Sequence, residues 1–170
     1  MSRRGWVLCG LLLGFSGVGQ AAPLAAIPPA YRQVADEYQV PPRLLFAIAL
    51  TESARHGAPW PWTLNVGGRP YYFASRAEAE SALRRWLAKS KHPDVGLMEI
   101  NWKYHRKKLQ DPTAAFDPWY NLRAGALILR QAYDATGNWW QAAGRYHSTT
   151  PSLADAYRQR VRRWYRRIRE

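Results

Sequence analysis

The chain has 170 residues, 47% apolar and 22% charged, with 25 Lys and Arg against 12 Asp and Glu for a formal charge of +13. That composition excludes a disordered chain, and the length suits one domain with at most a short extension. A single cysteine excludes an internal disulfide framework and any multi-cysteine zinc or iron–sulfur site.

Residues 1–22 read as a secretory signal peptide. Arg3 and Arg4 supply a positive start, and an apolar stretch runs from Trp6 to Val18. Gly19-Gln-Ala21-Ala22 then offers small residues for cleavage. The apolar stretch falls short of the ~20 residues needed to span a bilayer. Cleavage there removes Arg3, Arg4 and Cys9, leaving a basic, cysteine-free domain at 23–170. Such a domain cannot mispair thiols in an oxidising compartment and depends on an apolar core.

In chain order, Pro28-Pro29 opens a short helix with Tyr31, Val34 and Tyr38 on one face, stopped by Val40-Pro41-Pro42. From Arg43 to Ser53 the next helix is apolar on every side, which predicts burial all round. Trp62–Val66, Gly67-Gly68 and Arg69–Phe73 change period and read as a hairpin. Ser75-Arg-Ala-Glu78 is a capping box, starting a helix with Ala79, Ala82, Leu83 and Trp86 along one stripe. Lys91–Gly96 reads as a loop, and Leu97–Trp102 as a short apolar segment. Asp117-Pro118 opens the clearest helix, ending at Thr136-Gly137. Asn138 caps another through Tyr146. Pro151 opens the last, with Tyr157, Val161, Trp164, Tyr165 and Ile168 on one face. The expected fold is mainly α with one inserted β-hairpin.

Glu52 is the residue that the pattern does not explain. It closes a nearly pure hydrocarbon helix, so it faces either the core or a cleft. In the core it would cost several kcal/mol unless paired or protonated. At a cleft wall, partial desolvation would raise its pKa towards neutrality and let it deliver a proton. A solvated helix end, paired with Arg55, is the plain alternative.

Four segments carry a family resemblance. Ala49-Leu-Thr-Glu52-Ser53 resembles the Glu-Ser motif of the soluble-lytic-transglycosylase-like family, peptidoglycan-cleaving enzymes with a goose-type-lysozyme fold. Gly96-Leu-Met-Glu-Ile-Asn101 is similar to that family's Gly-Leu-Met-Gln motif. Ala143-Gly-Arg-Tyr146-His147 resembles its Ala-Tyr-Asn motif more loosely, and Phe116–Ala126 resembles the run before its long helix. The order agrees over roughly residues 30–165. The resemblance implies a lysozyme-like helical domain with Glu52 as the sole catalytic acid/base. Ser53, Met98, Glu99, Asn101, Tyr146 and His147 would bind or position substrate, with Ser53 positioning the sugar or the acid and Tyr146 hydrogen-bonding near Glu52. No metal and no cofactor are implied. Position 99 carries Glu where the family usually has Gln, and position 147 carries His where it usually has Asn.

The implied reaction is non-hydrolytic cleavage of the MurNAc-β-1,4-GlcNAc bond, giving 1,6-anhydroMurNAc ends. Glu52 would protonate the glycosidic oxygen and then take the proton of the attacking 6-hydroxyl of the same sugar. An internal nucleophile needs geometry and dryness more than a second carboxylate. Ordinary glycosidases use two, so a lysozyme-type hydrolase with Glu52 and Glu99 is one rival. A glycan- or partner-binding module without catalysis is another. The resemblance is to small single-domain members serving conjugation, secretion or pilus machines, which implies a periplasmic monomer.

Trp60, Trp62, Tyr71, Tyr72, Trp102 and Tyr104 flank the motifs, and some could stack on sugars, whereas Trp86, Trp164 and Tyr165 belong to helical stripes. Seven arginines lie between residues 157 and 169. They read as the solvated face of a terminal helix, with contact to anionic wall polymers or membrane headgroups as its functional extension. Nucleic acid is not an expected partner, since no DNA- or RNA-binding signature is present. The four histidines lack the spacing of a zinc site.

Overall fold

The computed structural model describes residues 26–169, so the signal-peptide expectation for residues 1–22 lies outside them. Proline at the first helical turn starts both early helices, α1 (Pro29–Tyr38) and α2 (Pro42–Ser53). Every residue from Leu44 to Leu50 is buried, as the all-round apolar pattern required. Asp117 caps α6 (Pro118–Thr136) by accepting from Tyr120 N at 2.8 Å, and Gly137 ends it at φ 66°. Asn138 caps α7 (Trp139–His147), and Pro151 opens α8 (Pro151–Tyr165). Helix α2 packs against α1 and α8, α6 packs against α1 and α7, and α7 packs against α8. The result is a mainly helical domain consistent with the lysozyme-like expectation.

Between α2 and α6 the chain does more than the single hairpin expected. His56 (φ 52°) and Gly57 (φ 82°) turn a two-residue pair, β1 (Ala54–Arg55) with β2 (Ala58–Pro59). The hairpin itself is present as β3 (Thr63–Val66) and β4 (Arg69–Tyr72), turned by Gly67 and Gly68, both at positive φ. Ser75 caps α3 (Arg76–Ala88) by accepting from Glu78 N, while the Glu78 carboxylate accepts from Ala74 N. The segment read as a loop and an apolar stretch instead holds β5 (Asp94–Val95) and β6 (Ile100–Asn101), giving the sheet order β4-β3-β5-β6. Two short helices follow that the sequence reading lacked, α4 (Trp102–Leu109) and α5 (Pro112–Ala115). Strands of two residues are too short to show a period, which is why the pattern missed them.

The register of this sheet positions the site. Leu64 pairs with Val95, and Val95 with Ile100; all three are buried. One residue along, Asn65 pairs with Asp94, and Asp94 with Asn101. Alternation along each strand therefore sends an apolar row into the core and a polar row to the other face.

Candidate active site

The polar row meets the ends of α2 and α7 across a cleft of about 250 Å³. Glu52 and Tyr146-His147 line its helical wall, with Ile128 of α6. Asn65, Asp94, Glu99 and Asn101 line its sheet wall, and Tyr104 and His105 of α4 close one side. Tyr104 is 75% exposed at this rim, an open aromatic face of the kind that sugar rings stack on. Trp102, in contrast, is buried and belongs to the core.

Glu52 sits on the last turn of α2, where the helix dipole already disfavours negative charge. Burial pushes its carboxyl up to about 7, assisted by the nearby Asp94, while the Tyr157 hydrogen bond and Arg160 pull the other way. Tyr157 OH donates to Glu52 Oε1 at 2.5 Å. The Tyr157 ring stacks on His147 at 4.6 Å with a 5° interplanar angle, and the Arg160 guanidinium lies 5.1 Å from the ring centre. In the sequence Tyr157 shows only as part of a helix stripe. Its burial was legible; its hydroxyl's destination, 105 residues away in sequence, was not.

Tyr146 lines the cleft beside Glu52, its hydroxyl donating to Met98 O at 2.8 Å, while the phenol on Glu52 itself is that of Tyr157. Ser53 and Met98 are corrections. Both are fully buried, so neither reaches the cleft as a substrate contact. Ser53 Oγ donates to Leu97 O at 2.7 Å, with Ala49 O at 3.1 Å as its second neighbour. Met98 N donates to Asn121 Oδ1 at 2.8 Å, and the Asn121 amide donates to Val95 O and Ala115 O. These bonds tie the Gly96–Glu99 turn to α2 and α6, behind the cleft wall.

Two glycines allow that closeness. At Gly96, φ is 76°, and an added Cβ would lie 2.6 Å from Asn121 Nδ2. At Gly125 of α6, a Cβ would lie 2.7 Å from the Met98 side chain. The turn also holds Glu99 at φ 42°, a left-handed conformation that costs a non-glycine residue of order 1 kcal/mol or more. Its carboxyl is pushed up to about 8, by burial first and then by Glu52 and Asp94. Asn65 Nδ2 donates to Glu99 Oε2 at 3.4 Å. Asn101 and His147 both line the cleft as well. Asp94 carries no signal in the sequence, where its segment reads as a loop; only the strand register turns it towards Glu52.

The model of the transglycosylase SLT domain matches residues 62–167, more than half of the chain. The chain belongs to the transglycosylase SLT domain family. Members of this family are lytic transglycosylases, so the protein is an enzyme of that class with peptidoglycan as its substrate. Neither the curated proteins nor the solved structures compared with it gave a match. The SLT match covers Glu99, Tyr146 and Tyr157 but begins ten residues after Glu52. The role of Glu52 therefore rests on the geometry above. Among the described residues, no group of three or more His, Cys, Asp or Glu is placed to hold a metal ion, and no helix is long and apolar enough to cross a membrane.

Proposed function

We propose that Glu52 is the single acid–base of this SLT enzyme, and that its products are 1,6-anhydroMurNAc ends. One observation carries the reading: a carboxyl desolvated to about 7 opens from a helix end into a polar cleft, with a buried phenol fixing its orientation. Held there, Glu52 keeps its proton near neutrality and gives it to the glycosidic oxygen as the bond to MurNAc breaks. The resulting carboxylate is steadied by the Tyr157 hydroxyl. It then takes the proton of the MurNAc 6-hydroxyl as that oxygen closes on the anomeric carbon. Every proton is accounted for: the one Glu52 gives leaves on the GlcNAc oxygen, the one it regains comes from the MurNAc 6-hydroxyl, and no water is consumed. Proton transfer of this kind contributes roughly 10²–10⁴-fold.

Glu99 bears on the choice between transglycosylation and hydrolysis. A hydrolase needs an ionised second carboxylate, as base or nucleophile. With its carboxyl pushed up to about 8, Glu99 is mostly protonated near neutrality and offers the donor and acceptor of an amide. That favours transglycosylation. Asn101, His147 and the Tyr104 rim complete the glycan contacts in this reading.

A substrate outside the cytoplasm accords with the leader-like sequence of residues 1–22, and we place the domain 23–170 in the periplasm. The resemblance to small members suggests local opening of the wall for a conjugation, secretion or pilus apparatus. The arginines of α8 are suited to anionic envelope polymers or headgroups. The test of the catalytic reading is Glu52→Gln on isolated sacculi. Turbidity clearing is expected to vanish while sacculus binding persists; continued clearing removes Glu52 from the reaction.

A further inference from the structure

Asp94 is the third carboxylate of the cleft, and its setting differs from the other two. The register places it in the middle of the polar row, between Asn65 on β3 and Asn101 on β6. Asn101 cannot turn round. Its Oδ1 caps α4, accepting from Lys103 N at 3.0 Å and Tyr104 N at 3.3 Å. Only its amide nitrogen is left to face Asp94, and it donates to Asp94 Oδ1 at 2.6 Å. A fixed donor at that distance favours the ionised form of the carboxyl it meets. Glu99 has the longer Asn65 contact at 3.4 Å, from an amide whose oxygen is already held by Gly68 N, and a weaker contribution from Thr63.

Three partly desolvated carboxyls in one cleft cannot all ionise together at neutral pH. Burial raises the Asp94 carboxyl as well, but Asp starts as the most acidic side chain of the three, and the fixed Asn101 donor opposes that rise. We propose that Asp94 carries the negative charge of this cluster and, together with burial, holds the proton on Glu52. Asp94 is thus a positioning residue for the reaction, acting on the acid and not on the sugar. The inference rests on the reading of Glu52 as the acid.

The other groups around Glu52 are accounted for. Arg160 of α8 opposes Asp94 and favours the ionised form of Glu52. Tyr146 and Tyr157 are buried phenols held well above their ordinary range, so they stay neutral. His147 of α7 and His105 of α4 are held below theirs, by burial first and then by Arg160 and Lys108 respectively. Neither histidine supplies the negative charge that Glu52 feels. Glu99 supplies it only once the pH passes about 8, and Tyr104 stands at the rim.

Asp94→Asn is the decisive variant, because the new amide oxygen can still accept from Asn101 while the charge is lost. Two readings are taken on the purified chain: the ¹³C titration of the Glu52 carboxyl, and kcat/KM against pH on glycan strands. The expected result is a Glu52 midpoint lower by roughly one pH unit, with the alkaline limb of kcat/KM displaced downward equally. Asn101→Ser repeats the test with the α4 cap kept and the donor to Asp94 removed; the Glu52 midpoint is again expected to fall. An unmoved or raised midpoint overturns the proposal. So does loss of activity at every pH with the Glu52 midpoint unchanged, which makes Asp94 a group that acts on substrate. Glu52→Gln, run alongside, separates the two readings: if it stays active, the acid assignment fails, whereas an inert Glu52→Gln with an unmoved Asp94→Asn profile sinks only the role of Asp94.

Discussion

The two walls of the cleft are built by opposite means. The helical wall is an apolar frame whose carboxyl is fixed by a buried aromatic, Glu52 by Tyr157, with Tyr146 beside it bonded to the Met98 carbonyl of the turn behind. The sheet wall is a row of amides and carboxyls set out by strand register, Asn65, Asp94 and Asn101, with Glu99 on a strained turn beside it. The first wall buries Glu52 and fixes its geometry, and the second adds the Asp94 charge to the field in which Glu52 titrates. Changes to the helical wall should therefore alter rate most, and changes to the sheet wall should alter pH dependence most.

The largest effect is expected at Glu52. Glu52→Gln should lower kcat by at least roughly 10²–10⁴-fold. It should also stabilise the fold towards neutral pH. A carboxyl raised to about 7 binds more protons folded than unfolded, so its contribution to stability is present below its ordinary value near 4.5 and is lost as pH rises to about 7. Thermal melts at pH 4.5 and pH 8 check this: the gap between wild type and variant should widen at the higher pH.

Gly96→Ala comes next, acting on the turn behind the cleft wall. The added methyl meets Asn121 in a left-handed backbone, and a loss of about 2–4 kcal/mol is expected from chemical denaturation. Full stability in this variant would mean that the turn is not held as described.

Tyr157→Phe removes the donor on Glu52 and keeps the ring on His147. Since that bond favours the ionised acid, its loss should raise the Glu52 midpoint and carry the alkaline limb of kcat/KM upward, with kcat falling by roughly tenfold. A large change in pH dependence with no change in rate would break the division between the walls.

Glu99→Gln should do least. Below pH 8 the acid and the amide present similar hydrogen-bonding groups, so activity should be retained there. Above that pH Glu99 gains a charge that Gln does not, so the two profiles should diverge. Complete loss of activity would make Glu99 a second catalytic carboxylate.

The helical wall was largely legible in the sequence. All-round apolarity fixed the burial of α2 and made Glu52 conspicuous. Asp117, Asn138 and Pro151 marked the helix starts, and a run of motif-like segments pointed to residues 98, 99 and 146. The sheet wall was not legible, because β5 and β6 carry two residues each and no periodic signal survives at that length. Asp94 became visible only when Asn65 and Asn101 were seen beside it. Long-range hydroxyl contacts were equally hidden: nothing local distinguishes Tyr157, which reaches Glu52, from the other aromatics on α8. The same limit applied to Ser53 and Met98, whose motif positions suggested substrate contact but whose side chains are spent inside the protein.

Mass spectrometry of the muropeptides released from purified sacculi tests the central claim most directly. The wild-type chain should release fragments ending in 1,6-anhydroMurNAc, and Glu52→Gln should release none. Reducing MurNAc ends from the wild type, or anhydro ends from Glu52→Gln, would contradict the account.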